Sequence, residues 1–182
     1  MKAACPFCDA PVIAKCGEIN IWHWAHEAKA QCDPWAPRET DWHLYWKSLC
    51  GPEQVEITIE RDGQTHRADI VTPSGVVVEL QHSSLPPAEI RTRESFYGHM
   101  VWIFDATDLG DRLSIRTKTR QGHKYNTFRW KWPRKHVAYT QATTYLDLGQ
   151  GQVFCIKKMY QEGGGWGYLI RKDRLVKKLL TS

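Results

Sequence analysis

QTHRADIVTPSGVVVELQHS, residues 64–83, reads as two β-strands joined by a turn. Pro73 fixes φ, and Gly75 accepts the left-handed conformation that such a turn needs. Val76, Val77 and Val78 are β-branched and suit a buried second strand. Alternation along that strand sets Val77, Glu79 and Gln81 on one face and Val76, Val78 and Leu80 on the other. On the first strand, Arg67 and Asp69 oppose Ala68 and Ile70. If the strands pair, Asp69 and Glu79 converge at the mouth of an otherwise apolar hairpin. A carboxylate in a core is costly unless it is paired or metal-bound. Two on neighbouring strands therefore suggest a hard-cation site for Mg²⁺ or Mn²⁺. The alternative is a pair of rim carboxylates satisfied by Arg67 or a lysine.

Upstream, VEITIERDGQT (55–65) alternates as a strand, and Asp62-Gly63 is a hairpin signal. Before it, RETDWHLYWKSLCG (38–51) predicts a helix that ends at Gly51 and carries Trp42, Tyr45, Trp46 and Leu49 on one stripe. Glu39, His43 and Lys47 follow at i, i+4 and i+8 along the edge of that stripe. Glu39 and His43 are placed to face the hairpin carboxylates or, equally, to pair on the surface. Lys47 is assigned to solvent-facing i, i+4 pairing, worth only a few tenths of a kcal/mol. Downstream, Pro86-Pro87 opens a second helix with Ile90, Arg93, Glu94 and Tyr97 at helical spacing, and Gly98 closes it. HMVWIFD (99–105) follows as a buried strand. The order is helix, three strands, helix, strand, with a crossover long enough for a parallel final pair.

Four of the six cysteines, Cys5, Cys8, Cys16 and Cys32, lie in the first 32 residues. CPFC at 5–8 lets two thiolates grip one ion, and IWHWAHEAKAQC adds His23, His26 and Cys32. Zinc takes four such ligands in a tetrahedron. Cys5 and Cys8 hold two places. His23, His26 and Cys32 compete for the others, with the two histidines preferred, Cys32 as the substitute and Cys16 as a bystander. A redox C-x-x-C would want a surrounding βαβ pattern, which is missing here. A segment of this size cannot build its own core, so the metal would staple it.

With 182 residues and 42% hydrophobic content, the chain suits one globular domain with appendages. No signal-peptide-like run or membrane span is legible, so the expectation is a cytoplasmic protein with reduced thiols and no membrane partner. Net charge is +5, unevenly spread. Residues 112–135 contain nine Lys/Arg and no Asp or Glu. A polyanion is the natural partner, with Arg129, Lys131, Arg134 and Lys135 for phosphates and Trp130 and Trp132 for stacking. The alternative is a solvated basic hairpin. Beyond Asp111 the chain turns β-rich, with candidate strands near HVAYTQATTYLDL and QVFCIKKMYQ and a short basic terminal helix. Cys155 reads as core.

CPFC at 5–8, HWAH at 23–26, Cys32, ETDWH at 39–43, HRADI at 66–70 and VELQHS at 78–83 together resemble the competence protein CoiA-like family, within the PD-(D/E)xK nuclease superfamily. The likeness covers roughly residues 1–105. It implies a zinc-binding segment (1–35), a restriction-endonuclease-like αβββαβ core of α/β (α+β) class (36–110) and a β-rich basic extension (111–182). Carried over residue by residue, Asp69 and Glu79 would hold Mg²⁺ or Mn²⁺, with Glu39 as the first-helix acid and His43 part of the same signature. Gln81 stands where the superfamily usually has lysine; its amide can orient water but supplies no positive charge. The implied activity is DNA phosphodiester hydrolysis in DNA processing or recombination, with a possible homodimer. Departure at Gln81 raises the alternative of a weak or inactive DNA-handling protein. An RNA-directed nuclease is the third possibility.

Overall fold

The computed structural model describes residues 2–5, 8–17, 23–27, 32, 33, 35 and 39–181. Within these the chain is mixed α+β, with three helices, a small antiparallel sheet and a large one. The small sheet is a meander of β1 (Lys2–Ala4), β2 (Pro11–Lys15) and β3 (His23–His26).

The central stretch follows as α1 (Asp41–Lys47), β4 (Val55–Arg61), β5 (Gln64–Val71), β6 (Val77–Gln81), α2 (Pro87–Tyr97) and β7 (Met100–Asp105). This is the expected order of helix, three strands, helix, strand. Asp62 and Gly63 both take positive φ (52° and 71°), the type I′ geometry whose twist matches paired strands. At the second turn Thr72 Oγ1 accepts from the Val76 N–H, and Gly75 sits at φ 79°. β5 and β6 are antiparallel, with Ile70 opposite Val78. β6 and β7 are parallel, with Glu79 opposite Trp102, as the α2 crossover permits. Helix α1 is shorter than residues 38–51 suggest, because Thr40 caps its N-terminus by accepting from the His43 N–H.

β6 and β7 are buried throughout, and their alternation separates two cores. Val77, Trp102 and Phe104 pack with Ile90, Phe96 and Tyr97 of α2. Val78, Leu80, Val101 and Ile103 pack with Trp46 of α1 on the other face. Tyr45, expected on the buried stripe, is 47% exposed.

The C-terminal part contributes β8 (Leu113–Arg120), β9 (His123–Trp130), β10 (Thr143–Gly149), β11 (Gln152–Met159), β12 (Gly164–Arg171) and α3 (Lys172–Leu180). Of HVAYTQATTYLDL, only the second half is strand; Lys135–Tyr139 is a 3₁₀ turn. Cys155 is buried, as expected. These strands are continuous with the central ones rather than a separate sheet. β10 pairs in parallel with β7, giving nine strands in the order β4-β5-β6-β7-β10-β11-β12-β9-β8. No helix of the described residues is long and apolar enough to cross a membrane.

A buried ion pair fastens this half to α1. Asp147 is fully buried and accepts from Trp42 Nε1 and Trp46 Nε1, both at 2.9 Å, and from Lys172 Nζ at 2.8 Å. The Lys172 ammonium also lies over the Tyr45 and Trp46 rings, so both charges are met on several sides. Asp147→Ala strands the Lys172 charge and two indole N–H groups, and breaking such a pair costs about 3–5 kcal/mol. Urea unfolding checks this; a loss below about 1 kcal/mol would remove the pair from the account of stability.

Candidate metal centre and carboxylate site

Cys5, Cys8, His26 and Cys32 bring one ligand atom each to within 4.8 Å of one another. The Cys5 and Cys32 sulfurs are 4.0 Å apart, and Cys8 Sγ is 3.3 Å from His26 Nε2. With Zn–S of about 2.3 Å, a tetrahedron has an S···S edge of about 3.8 Å, so this set fits a zinc ion. β2 and β3 supply the frame: Val12 is opposite His26, and the Cys5–Asp9 turn is closed by Cys5 N–H donating to Ala10 O. Cys32 thus stands beside His26 in the set, where the sequence preferred His23. The His23 side chain lies outside what is described. Burial, with the neighbouring Cys8 and Cys5 sulfurs, raises the Cys32 thiol to about 11. A bound cation reverses that preference, since it favours thiolate. Cys16 is exposed and apart from the set, as expected of a bystander.

The two hairpin carboxylates are buried, Asp69 at 8% and Glu79 at 3% exposure. Past the Ile70–Val78 pair the ladder between β5 and β6 stops, and the Asp69 side chain takes its place. Asp69 Oδ2 accepts from the Leu80 N–H at 2.9 Å. Glu79 Oε2 accepts from Arg93 Nη1 of α2 at 2.9 Å, while Arg93 also grips Glu89. Burial, with Asp69 adding its charge, pushes the Glu79 carboxyl from 4.5 to about 8 against the pull of Arg93. Gln81, 1% exposed, donates from Nε2 to Ser83 O and Ser83 Oγ. Glu79 Oε1, Gln81 Oε1 and His43 Nε2 are buried without a hydrogen-bond partner within the described protein.

Lys47 is the residue misassigned from sequence. Its side chain is only 10% exposed and turns inward, with Nζ 2.7 Å from Glu39 Oε1, 3.2 Å from Asp69 Oδ1 and in contact with Glu56 Oε1. Burial works against its charge, but Asp69 and Glu56 outweigh that and hold its pKa above the ordinary lysine value. Glu39 is more exposed and reaches the site through Lys47. Arg67 pairs with Glu56, and so serves this network rather than Asp69. His43 is buried against Thr40, whose Oγ1 is 2.7 Å from Nδ1; burial lowers its pKa, with Asp69 opposing. The three acids therefore do not form one cluster of metal-binding geometry among the described residues. Each of Asp69 and Glu79 has its own side-chain cation.

Residues 2–34 match the family model of the competence protein CoiA, N-terminal domain. The matched stretch contains all four members of the Cys/His set and ends before α1. No curated protein and no solved structure matches the chain.

The basic segment divides in two. β8 is the last strand of the sheet, and its Arg116, Lys118 and Arg120 are exposed on that edge. The loop after β9 returns toward the carboxylates. Arg134, expected to contact phosphate, instead donates to His82 O at 3.1 Å, Asp105 O at 2.7 Å and Asp108 Oδ1 at 3.1 Å, tying the loop to the ends of β6 and β7. Trp130, expected to stack on bases, is 2% exposed and shares the core with Phe128, because alternation along β9 turns it inward. Arg129, Lys131 and Lys135 are exposed, and Trp132 is 82% exposed at φ 50°.

Two outcomes follow from these geometries. Cys32→Ser should lose the bound zinc equivalent in elemental analysis, whereas Cys16→Ser should keep it. Without divalent cations, the folded protein keeps a proton on Glu79 that the unfolded chain releases above 4.5. Stability should therefore fall as pH rises from 4.5 toward 8, by at most about 1.4 kcal/mol per pH unit from this group. Denaturant midpoints across that interval should flatten in Glu79→Gln; an unchanged slope would place the titration elsewhere.

Proposed function

We propose that the chain is a Mg²⁺- or Mn²⁺-dependent deoxyribonuclease acting in DNA processing or recombination, in a competence-related role. The observation that carries this is Lys47 Nζ, 3.2 Å from Asp69 Oδ1 beside buried Glu79. It supplies, from α1, the positive charge that Gln81 lacks in the place usual for the superfamily's lysine. The helix, three strands, helix, strand order supports reading residues 36–110 as a restriction-endonuclease-like core.

Asp69 and Glu79 are the residues that would hold the cation, and the unpartnered oxygens of Glu79 and Gln81 suit a hard ion. Bound there, Mg²⁺ or Mn²⁺ would acidify water and neutralise phosphate charge. Lys47 would stabilise the charge that develops on the phosphoryl oxygens, from a position already fixed by Glu39 and Glu56. Gln81 would orient the attacking water through its amide. His43, held below its ordinary pKa by burial, would meet the site as a neutral imidazole. Exposed Arg129, Lys131 and Lys135 would take backbone phosphates, with Trp132 stacking on a base.

One observation favours a second reading, a DNA-handling protein with a weak or inactive core. Arg93 is shared between Glu79 and Glu89, so Glu79 already has a structural partner on α2. Labelled single-stranded, duplex and branched DNA, incubated with Mg²⁺, Mn²⁺ or EDTA, separates the two. Wild-type protein should cut only with metal. Asp69→Asn should abolish cutting, and Lys47→Met should lower kcat by roughly 10²–10³-fold with DNA binding kept. Binding without cutting under every condition establishes the second reading, and full activity in Lys47→Met removes that residue from the chemistry.

A further inference from the structure

Asp33 follows the metal-centre residue Cys32 and is buried against the main sheet. Its Oδ2 accepts from the Arg67 N–H at 2.6 Å, and its Oδ1 lies 2.9 Å from both Trp35 N and His66 Nδ1. The Arg67 contact falls where β5 has no partner on its β6 side, since that ladder is restricted to Ile70–Val78 and Val71–Val77. Asp33 therefore supplies the acceptor that β6 does not, two residues before Asp69. Trp35 makes a second connection. Its ring stacks on His66, the Arg93 guanidinium lies 5.3 Å over it, and its carbonyl accepts from Arg93 Nη2 at 3.1 Å. The other arm of that guanidinium donates to Glu79.

Two short routes thus run from Cys32 to the carboxylates: through Asp33 to β5, and through Trp35 to Arg93 and Glu79. The small sheet cannot fix its own end of these routes by burial. Among its described residues and turns, only Cys5 and Val12 are buried apolar side chains. Order in such a segment comes from its metal.

We infer that the Cys5–Cys8–His26–Cys32 centre, loaded with zinc, positions the Asp69/Glu79 site, with Asp33 and Trp35 as the positioning residues. The activity consequence rests on the nuclease reading; the structural consequence does not. The test is amide hydrogen exchange on the full chain, zinc-loaded and after zinc is stripped, beside zinc-loaded Asp33→Ala whose metal content is verified. The Arg67 amide should exchange at least tenfold faster both in stripped wild type and in Asp33→Ala, while Ile103 in β7 keeps its protection. With excess Mg²⁺ restored, kcat should fall in both and KM for DNA should hold. Unchanged Arg67 exchange on stripping overturns the inference. So does equal loss at Ile103, which would make zinc a global stabiliser. If Asp33→Ala does not fold, stripped wild type still decides. A protein that never cuts DNA leaves the exchange result standing, so the two readings fail separately.

Discussion

An ionised carboxylate taken out of water costs several kcal/mol unless donors meet it. Among the described residues this fold buries five acids: Asp33, Asp69, Glu79, Asp105 and Asp147. Each accepts from at least one donor on another element, so each acid becomes a joint. Asp147 joins β10 to α1 and α3, Asp33 joins the N-terminal segment to β5, and Asp105 ties β7 to His82 at 2.7 Å. Asp69 and Glu79 differ in kind. Their cations, Lys47 and Arg93, come from helices on opposite faces of the sheet, so the gap between β5 and β6 is held from both sides. The hairpin mouth keeps its shape because donors from both sides meet these carboxyl groups, and oxygens of Glu79 and Gln81 are left unspent.

What was legible in the sequence was local. Strand alternation, Asp62-Gly63, Pro73-Ser74-Gly75 and the Pro86-to-Gly98 helix each carry their signal within a few residues, and the central order of elements follows from them. The Cys/His spacing narrows the metal centre to five candidates and favours the two histidines, whereas the structure sets Cys32 beside His26. That choice depends on which side chains the fold brings together, which spacing does not show. Lys47 differs from its sequence expectation for the same reason. On a helix alone it is a surface lysine, and only β5, more than twenty residues on, turns it into a buried partner of Asp69. Asp147 with Lys172 and Arg93 with Glu79 also join residues on separate elements, beyond the reach of local pattern. The burial of Trp130 does have a local signal: Phe128, Arg129, Trp130 and Lys131 alternate apolar and basic, which marks a strand with one face inside.

The metal centre and the carboxylate site differ in what holds them together. Thiol and imidazole ligands gather only when an ion repays their desolvation and order. The carboxylate site is knit by the protein's own cations and by two interior strands, β6 and β7, that are buried from end to end. The carboxylate site is held by construction, whereas the Cys/His set would gain its order by loading, and Asp33 and Trp35 stand between them.

The parallel joint between β7 and β10 has a consequence for how the chain is made. β7 leaves the ribosome as the last strand of the central unit, apolar on both faces, with one hydrogen-bonding edge open. Its cover, Thr143–Gly149, is encoded only after the whole β8–β9 hairpin. Until then the nascent protein presents an unpaired hydrophobic edge, the feature that invites pairing with a neighbour. A fragment cut at residue 110 would carry that edge permanently, so the carboxylate site cannot be separated from the C-terminal half without exposing the centre of the sheet.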